Sequence, residues 1–211
     1  MKLTDIEKRM LDGSEGETQA KALDYMIQLG RAFDAEEFEE IIYVHYPAEM
    51  AIYAGEVEDL VTYAGTGARV SVPTTSSTLC CDIEQHKKLG CPAELAGEQI
   101  RAVDAHRRMG IARTYTCTPY LLGYLPPQGA PIASVESSAI IYFNSVLGAR
   151  TNRGGLFTRY AAVTGRYPKM GYMLKENRRG THLVKVDIEE KDFQGSTDYS
   201  ALGFYAGGIV G

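Results

Sequence analysis

Cys117 stands in "TYTCTPY", where a β-forming run meets Pro119. A thiolate at such a strand end can ligate a metal or act as a nucleophile. A second candidate is the hook "GARTNRGG". Arg150 and Arg153 offer planar forks that suit carboxylate or phosphate. Thr151 and Asn152 add neutral hydrogen bonds, and the glycines let backbone approach a ligand closely. Just upstream, Glu136 and Ser137 open a helical run that also carries Asn144 and Ser145. Two further strand ends carry His45 and the pair Thr74–Thr75. Each has a plainer reading. The threonines could cap a turn, His45 could be a hydrogen-bonded core residue, and the arginines could form ion pairs.

The elements that would position these groups follow from periodicity. Thr4 with Glu7 forms a capping box for a short first helix. "GETQAKALDYMIQLGRAF" places Ala22, Met26, Leu29 and Phe33 at helical spacing. "EEIIYVHY" reads as a strand ending near His45, and "AGEVEDLVTYAGTG" as a helix closed by glycine. "ARVSVPTT" reads as a strand stopped by Pro73. "ELAGEQIRAVDAHRRMG" is an amphipathic helix with Leu95, Ile100, Val103 and Met109 inward and Gly110 as its cap. "ARTYTCTPY" is a third short strand. "ESSAIIYFNSVLG" sets Ala139, Ile140, Phe143, Val146 and Leu147 on one helical face. "FTRYAAVTGRYPKMGY" is a short helix and turn, "THLVKVDIE" alternates like a strand, and "DYSALGFYAGGIVG" is a glycine-weakened helix. Alternating strands and helices predict an α/β fold, a largely parallel sheet flanked by helices. In such sheets ligands sit beyond the carboxyl ends of the strands, which is where His45, Thr74, Thr75 and Cys117 are expected.

Bulk properties narrow the function. The 211 residues are 45% hydrophobic, enough for a sizeable core. A formal charge of −5 speaks against a nucleic-acid surface. No apolar run is long enough for a membrane span, and the charged start "MKLTDIEKRMLDG" is no signal peptide, so a cytoplasmic location is expected. Four cysteines include no C-x-x-C pair. Cys80, Cys81 and Cys91 are expected as reduced, mostly buried thiols. The apolar, glycine-rich end at Gly211 is expected of a truncated chain.

"TCTPYLLG", "ESSAIIYFNSVLGARTNR" and "VTGRYPKMGYMLKENR" together resemble the aconitase X family, specifically the N-terminal half of its large catalytic subunit. The start "MKLTDIEKRMLDGSEG" and the "VPTT" segment are similar in kind. The resemblance implies an aconitase-like fold and a hydro-lyase that dehydrates a small hydroxy-carboxylate, cis-3-hydroxy-L-proline or mevalonate 5-phosphate. It implies an iron–sulfur cluster, 2Fe–2S or 4Fe–4S, with Cys117 as the one ligand on this chain. Thr74, Thr75, Glu136, Ser137, Asn144, Ser145, Arg150, Thr151, Asn152 and Arg153 would line the substrate cavity. A separate small swivelling subunit and the missing C-terminal half would be partners. The cluster would act as Lewis acid, an unassigned base would remove a proton alpha to the carboxylate, and Arg150 or Arg153 would clamp that carboxylate. Two departures stand out. Leu156, Phe157, Thr158 and Arg159 replace the family's "GPSA" after the hook, which should alter the pocket wall. His45 is followed by "YPAEMAIYAG" rather than by the family's "SG". A cluster-free binding or assembly subunit, an inactive fragment of such an enzyme and a cysteine-nucleophile enzyme are the alternative readings.

Overall fold

A computed structural model describes residues 1–49 and 55–210. It divides into two compact units, Met1–Asn177 and Arg178–Gly211. The first contains helices α1 (Asp5–Leu11), α2 (Glu17–Ala32), α3 (Glu56–Gly65), α4 (Ala93–Met109), α5 (Ser137–Ile141) and α6 (Thr158–Thr164). Its strands are β1 (Phe38–Glu40), β2 (Val44–Tyr46), β3 (Thr74–Ser76), β4 (Ala133–Ser134) and β5 (Arg166–Pro168). The second contains α7 (Ser196–Val210), none of whose side chains is buried. The predicted strand over "THLVKVDIE" does not form. An alternating pattern makes a strand only where a neighbour can satisfy its backbone.

Three strands form a parallel sheet in the order β3-β2-β4, as expected for an α/β fold. His45 lies opposite Thr75 on one side and Ser134 on the other. Bridges from Thr75 to Ala112 and from Ser134 to Arg153 extend that row across the sheet. A separate antiparallel pair joins β1 to β5. The run predicted as one strand, "EEIIYVHY", is therefore two. The break lies at Ile41 and Ile42, whose amides donate to Gly165 and Pro131 respectively and so switch the chain between sheets. Pro73 precedes β3 rather than ending it: its carbonyl accepts from the Val44 amide, and the strand begins where N–H groups resume.

Strand alternation sorts side chains onto two faces. Val44 and Tyr46 join the larger core of α2, α3, α4 and α6. Tyr43 faces the other way, into a smaller cluster with Ile132, Ala139, Phe143 and Ala149. His45, Thr75 and Ser134 share that second face by register. In α4 the buried residues are Ala96, Gln99, Ala102, Ala105, His106 and Met109, while Ile100 is exposed. The inward stripe is thus shifted from the one predicted: α4 packs against α3, and Ala102, Ala105 and Met109 join the larger core. Gly110 caps α4 at φ 84°, in the left-handed region. The predicted capping box is present: Glu7 N–H donates to Thr4 Oγ1 and Thr4 N–H to Glu7 Oε2.

Candidate functional site

The carboxyl ends of the three parallel strands bring together Glu49 after β2, Ser77 and Thr78 after β3, and Glu136 after β4. Cys117 arrives from the segment beyond Ala112. That segment was predicted as a strand but holds only one bridge. Thr114 explains why. Its side chain both accepts from Ser76 N–H (2.9 Å) and donates to Ser76 C=O (2.8 Å), which leaves Thr116 N–H as the one backbone donor to that carbonyl, at 3.2 Å, among the described residues. Tyr115 then takes φ 46°, a left-handed conformation that costs a non-glycine residue energy and turns the chain outward. Thr116 and Thr118 close the loop through a 3.0 Å contact between their hydroxyls.

Cys117 is partly exposed, and its Sγ lies 3.9 Å from Thr78 Oγ1. Burial, and then the adjoining Glu136 carboxylate, push its thiol upward from the ordinary cysteine range. A nucleophilic cysteine needs the opposite shift, so the geometry opposes the cysteine-nucleophile reading. Ser77 Oγ donates to Glu49 Oε2 (2.5 Å) and accepts from Ala48 N–H (3.1 Å). Glu49, Ser77 and Thr78 carried no motif. Their signal was position alone, within three residues of a strand end. The segment "YPAEMAIYAG", where the family's "SG" is absent, begins at Tyr46, which ends β2 and is buried, while its residues Met50 to Ala54 lie outside the described residues.

Most of the hook is engaged internally. Arg150 forks onto the Glu39 carboxylate, with one bond at 2.8 Å, and also donates to Met173 C=O (2.6 Å) and Gly129 C=O (2.9 Å). Asn152 donates to Met170 C=O (2.9 Å) and accepts from Tyr172 N–H (2.7 Å). Thr151 is buried, and its amide donates to Asn144 Oδ1. Asn144 Nδ2 in turn bonds the carbonyls of Ile140 (3.0 Å) and Thr151 (2.9 Å), tying helix to hook. Ser145 donates back to the Ile141 carbonyl. These side-chain bonds into the preceding turn accompany a switch from α5 to a π-helical turn over Tyr142–Val146. The switch turns Val146 out to solvent while Ala139 and Phe143 remain buried. Ser137 is exposed at the start of α5.

Arg153 differs from its neighbours. It is exposed, and among the described residues its side chain makes no hydrogen bond or ion pair. It lines a cleft of about 490 Å³ together with Phe33, Phe157, Tyr167 and Met170. Of the replaced wall residues, Leu156 and Phe157 are partly exposed, whereas Thr158 and Arg159 are buried. Arg159 bonds Glu56 (2.8 Å), Asp59 and Tyr46 (3.4 Å), so it pins α6 to α3 rather than lining a pocket.

Thr74 and Thr75 do not face the strand-end opening. Thr74 donates to Val72 C=O (2.9 Å). Thr75 is fully buried between Tyr43 OH and His45 Nδ1, the latter at 2.9 Å. Burial holds His45 down at about 4, so its ring is neutral. Its Nε2 and the neighbouring Ser134 Oγ are both buried and have no hydrogen-bond partner among the described residues.

Cys117 is the one thiol at the strand ends, and among the described residues no group of three His, Cys, Asp or Glu side chains has the arrangement of a metal site. Iron–sulfur clusters are held by several thiolates. The residues present do not form a cluster site by themselves.

The family model for the aconitase X first domain matches residues 1–176, ending one residue before the boundary of the first unit. The phosphomevalonate dehydratase large subunit of Methanothermobacter thermautotrophicus is 40% identical over 99% of this chain and 52% of its own length. The cis-3-hydroxy-L-proline dehydratase of Pseudomonas aeruginosa is 32% identical over 98% of this chain and 35% of its own. The crystal structure of Thermococcus kodakaraensis aconitase X in its holo-form superposes with a TM-score of 0.86 at 34% identity, covering this whole chain and 52% of that one. The chain spans about half the length of the large subunits it matches. The fold is accordingly the aconitase-like α/β type, and the chain belongs to the aconitase X family.

Proposed function

We infer that this chain is the first part of a hydro-lyase that removes water from a small hydroxy-carboxylate. The observation that carries the reading is the meeting of Cys117, Thr78 and Glu136 at the carboxyl ends of parallel strands. Dehydration requires a base for the proton alpha to a carboxylate and a hydrogen-bond donor for the departing oxygen. Glu136 is a carboxylate beside a thiol at that edge and can take a proton there. The Thr78 hydroxyl can donate to a substrate oxygen. Arg153, whose side chain has no partner among the described residues, can hold an anionic group of the substrate through two parallel hydrogen bonds. Arg150 and Asn152 act one step back, holding the hook in place.

The working complex would join this chain to the remainder of the large subunit and to a separate small swivelling subunit. The relative at higher identity is named for phosphomevalonate, so a phosphorylated hydroxy acid is the first substrate to test. An iron–sulfur cluster would need thiolates from beyond this chain.

The test uses the complete two-subunit enzyme, purified without oxygen. Mevalonate 5-phosphate and cis-3-hydroxy-L-proline are supplied separately, and the dehydrated product is followed by NMR, through its vinylic proton for the first and through the ring imine formed by tautomerisation of the enamine for the second. Turnover of mevalonate 5-phosphate, falling at least about 100-fold in Glu136→Gln, is the expected result. An enzyme that turns over neither compound while binding iron and sulfide normally would overturn the assignment.

A further inference from the structure

We propose that the Arg153 cleft chooses its ligand by chemical class: it takes an anion with an uncharged, apolar body and turns away one that carries an ammonium group, and Phe33 and Phe157 are the residues that set this choice. The inference rests on the reading of Arg153 as holder of the substrate's anionic group and adds the substrate class to it.

The cleft is preformed. Its volume of about 490 Å³ lies within the range usual for small-molecule sites. Its floor is Leu29, Tyr167 and Met170, all buried members of the larger core. Its two aromatic walls come from different elements. Phe33 follows α2 directly and is 62% exposed. Phe157 closes the short helical turn Gly155–Phe157, and its ring meets Tyr160 edge-on at 6.1 Å. Tyr160 in turn stacks on Tyr25 of α2 at 4.5 Å, so a chain of rings ties this wall to the helix that leads to the other. Gly155 lines the cleft between Arg153 and Phe157 and takes φ 51°, a left-handed conformation that favours glycine.

The charge of the cleft is one-sided. Among the described residues that line it, Arg153 is the one with a charged side chain, and no carboxylate stands with it. The Asn152 amide is already committed at both ends, to Met170 C=O at 2.9 Å and to Tyr172 N–H at 2.7 Å. An ammonium seated here would meet a guanidinium and apolar carbon with no acid to offset its charge, which is costly in a partly desolvated site. Aromatic walls attract a cation when nothing opposes them. Here the Arg153 charge opposes it. An anion meets the reverse: charge-assisted hydrogen bonds from Arg153, while its carbon body covers Phe33 and Phe157 and removes apolar surface from water. No cysteine lines the cleft. All four are free and partly exposed elsewhere, which departs from the buried thiols expected of Cys80, Cys81 and Cys91. The cleft therefore binds and selects rather than reacts.

The two compounds that name the relatives differ in the property this cleft reads. Mevalonate 5-phosphate carries a carboxylate, a phosphate and a methyl branch, with no cation. The other, cis-3-hydroxy-L-proline, carries a ring ammonium beside its carboxylate. The first suits the cleft and the second does not.

The experiment has two arms, both on the complete two-subunit enzyme. Calorimetry compares butyl phosphate, inorganic phosphate and cis-3-hydroxy-L-proline. Butyl phosphate should bind at least about tenfold more tightly than inorganic phosphate. Phe33→Ser and Phe157→Ser should each remove most of that preference, and Phe157→Leu should keep it. In the kinetic arm the same serine variants should raise KM for mevalonate 5-phosphate about tenfold, with a smaller effect on kcat. Phe33 is exposed, so Phe33→Ser keeps the test decisive should Phe157→Ser misfold. Equal binding of the two phosphates, a preference untouched in both serine variants, or cis-3-hydroxy-L-proline bound as tightly as butyl phosphate would overturn the proposal. The two readings fail separately. An enzyme that shows the preference yet dehydrates neither compound keeps the selective cleft and loses the dehydratase. One that dehydrates mevalonate 5-phosphate without the preference does the reverse.

Discussion

Arg150 and Arg153 share a residue type and a loop yet do different work. Arg150 is mostly buried and forked onto Glu39, 111 residues away. Removing one partner leaves the other carrying a poorly solvated charge. Arg150→Ala should lower stability by about 2 kcal/mol, between the values typical of buried and surface pairs, as read by urea denaturation. Arg153→Ala should leave the urea midpoint unchanged. In the assembled enzyme it should raise KM about tenfold or more, the loss of one charge-assisted clamp. A destabilised Arg153→Ala with normal kinetics would reverse the two roles. The histidines make a second residue-scale prediction. Burial holds His45 near 4, and burial together with the Arg159 charge holds His106 near 3, against 6.5 for an exposed ring. The unfolded chain therefore binds more protons as pH drops below 6.5. The stability that both neutral rings contribute above 6.5 is lost as pH falls toward 4 and then 3. Among the described residues neither ring nitrogen of His106 has a hydrogen-bond partner. Thermal melts at descending pH should show a shallower acid decline in His106→Leu than in the parent.

At the scale of elements, the helix that begins at Ser137 and the hook that follows are one mechanical unit. Asn144 spans them, bonding Ile140 in its own helix and Thr151 in the hook. Phe143, one residue earlier, is fully buried and meets Tyr43 edge-on at 5.7 Å. The aromatic anchor fixes the helix against the sheet, and the asparagine passes that position to the hook. Asn144→Ala should cost about 1–2 kcal/mol, from losing hydrogen bonds to partly buried carbonyls. Amide exchange in residues 150–153 should speed up in that variant while α2 stays protected. Gly154 adds a steric condition to the same unit. A Cβ there would sit 2.7 Å from Thr158 Cγ2 and 3.3 Å from the Ser134 carbonyl, so the hook can lie against β4 only with glycine at this place.

For the whole molecule, the boundary near residue 177 has a physical meaning. The first unit holds every buried side chain, and the described residues from 178 onward hold none. Arg179 is exposed at that boundary. Brief trypsin treatment should cut after Arg178 or Arg179 first and leave a core ending there, seen as one stable band by intact mass. Early cuts inside α2 or α4 would contradict the division. Among the described residues no helix is long and apolar enough to cross a membrane.

Local information was readable directly from the residues. The capping box at Thr4, the Gly110 cap and the spans of α2 and α4 depend on contacts within one or two turns, and the residues for those contacts are adjacent in sequence. The string "NSVLGARTNR" carried the family for the same reason, being contiguous. What tertiary structure decided was which partner each polar group finds. Arg150 had a fork but no visible acid, because Glu39 joins it only when β1 reaches the hook. Thr75 had a strand-end position, yet the parallel register commits its hydroxyl to Tyr43 and His45. Arg150, Thr151 and Asn152 are spent on internal partners, and among the described residues the Arg153 side chain is left without one. Periodicity encodes which face a side chain takes. It does not encode which distant group arrives to meet it, and that meeting sets charge, hydrogen bonding and therefore chemistry.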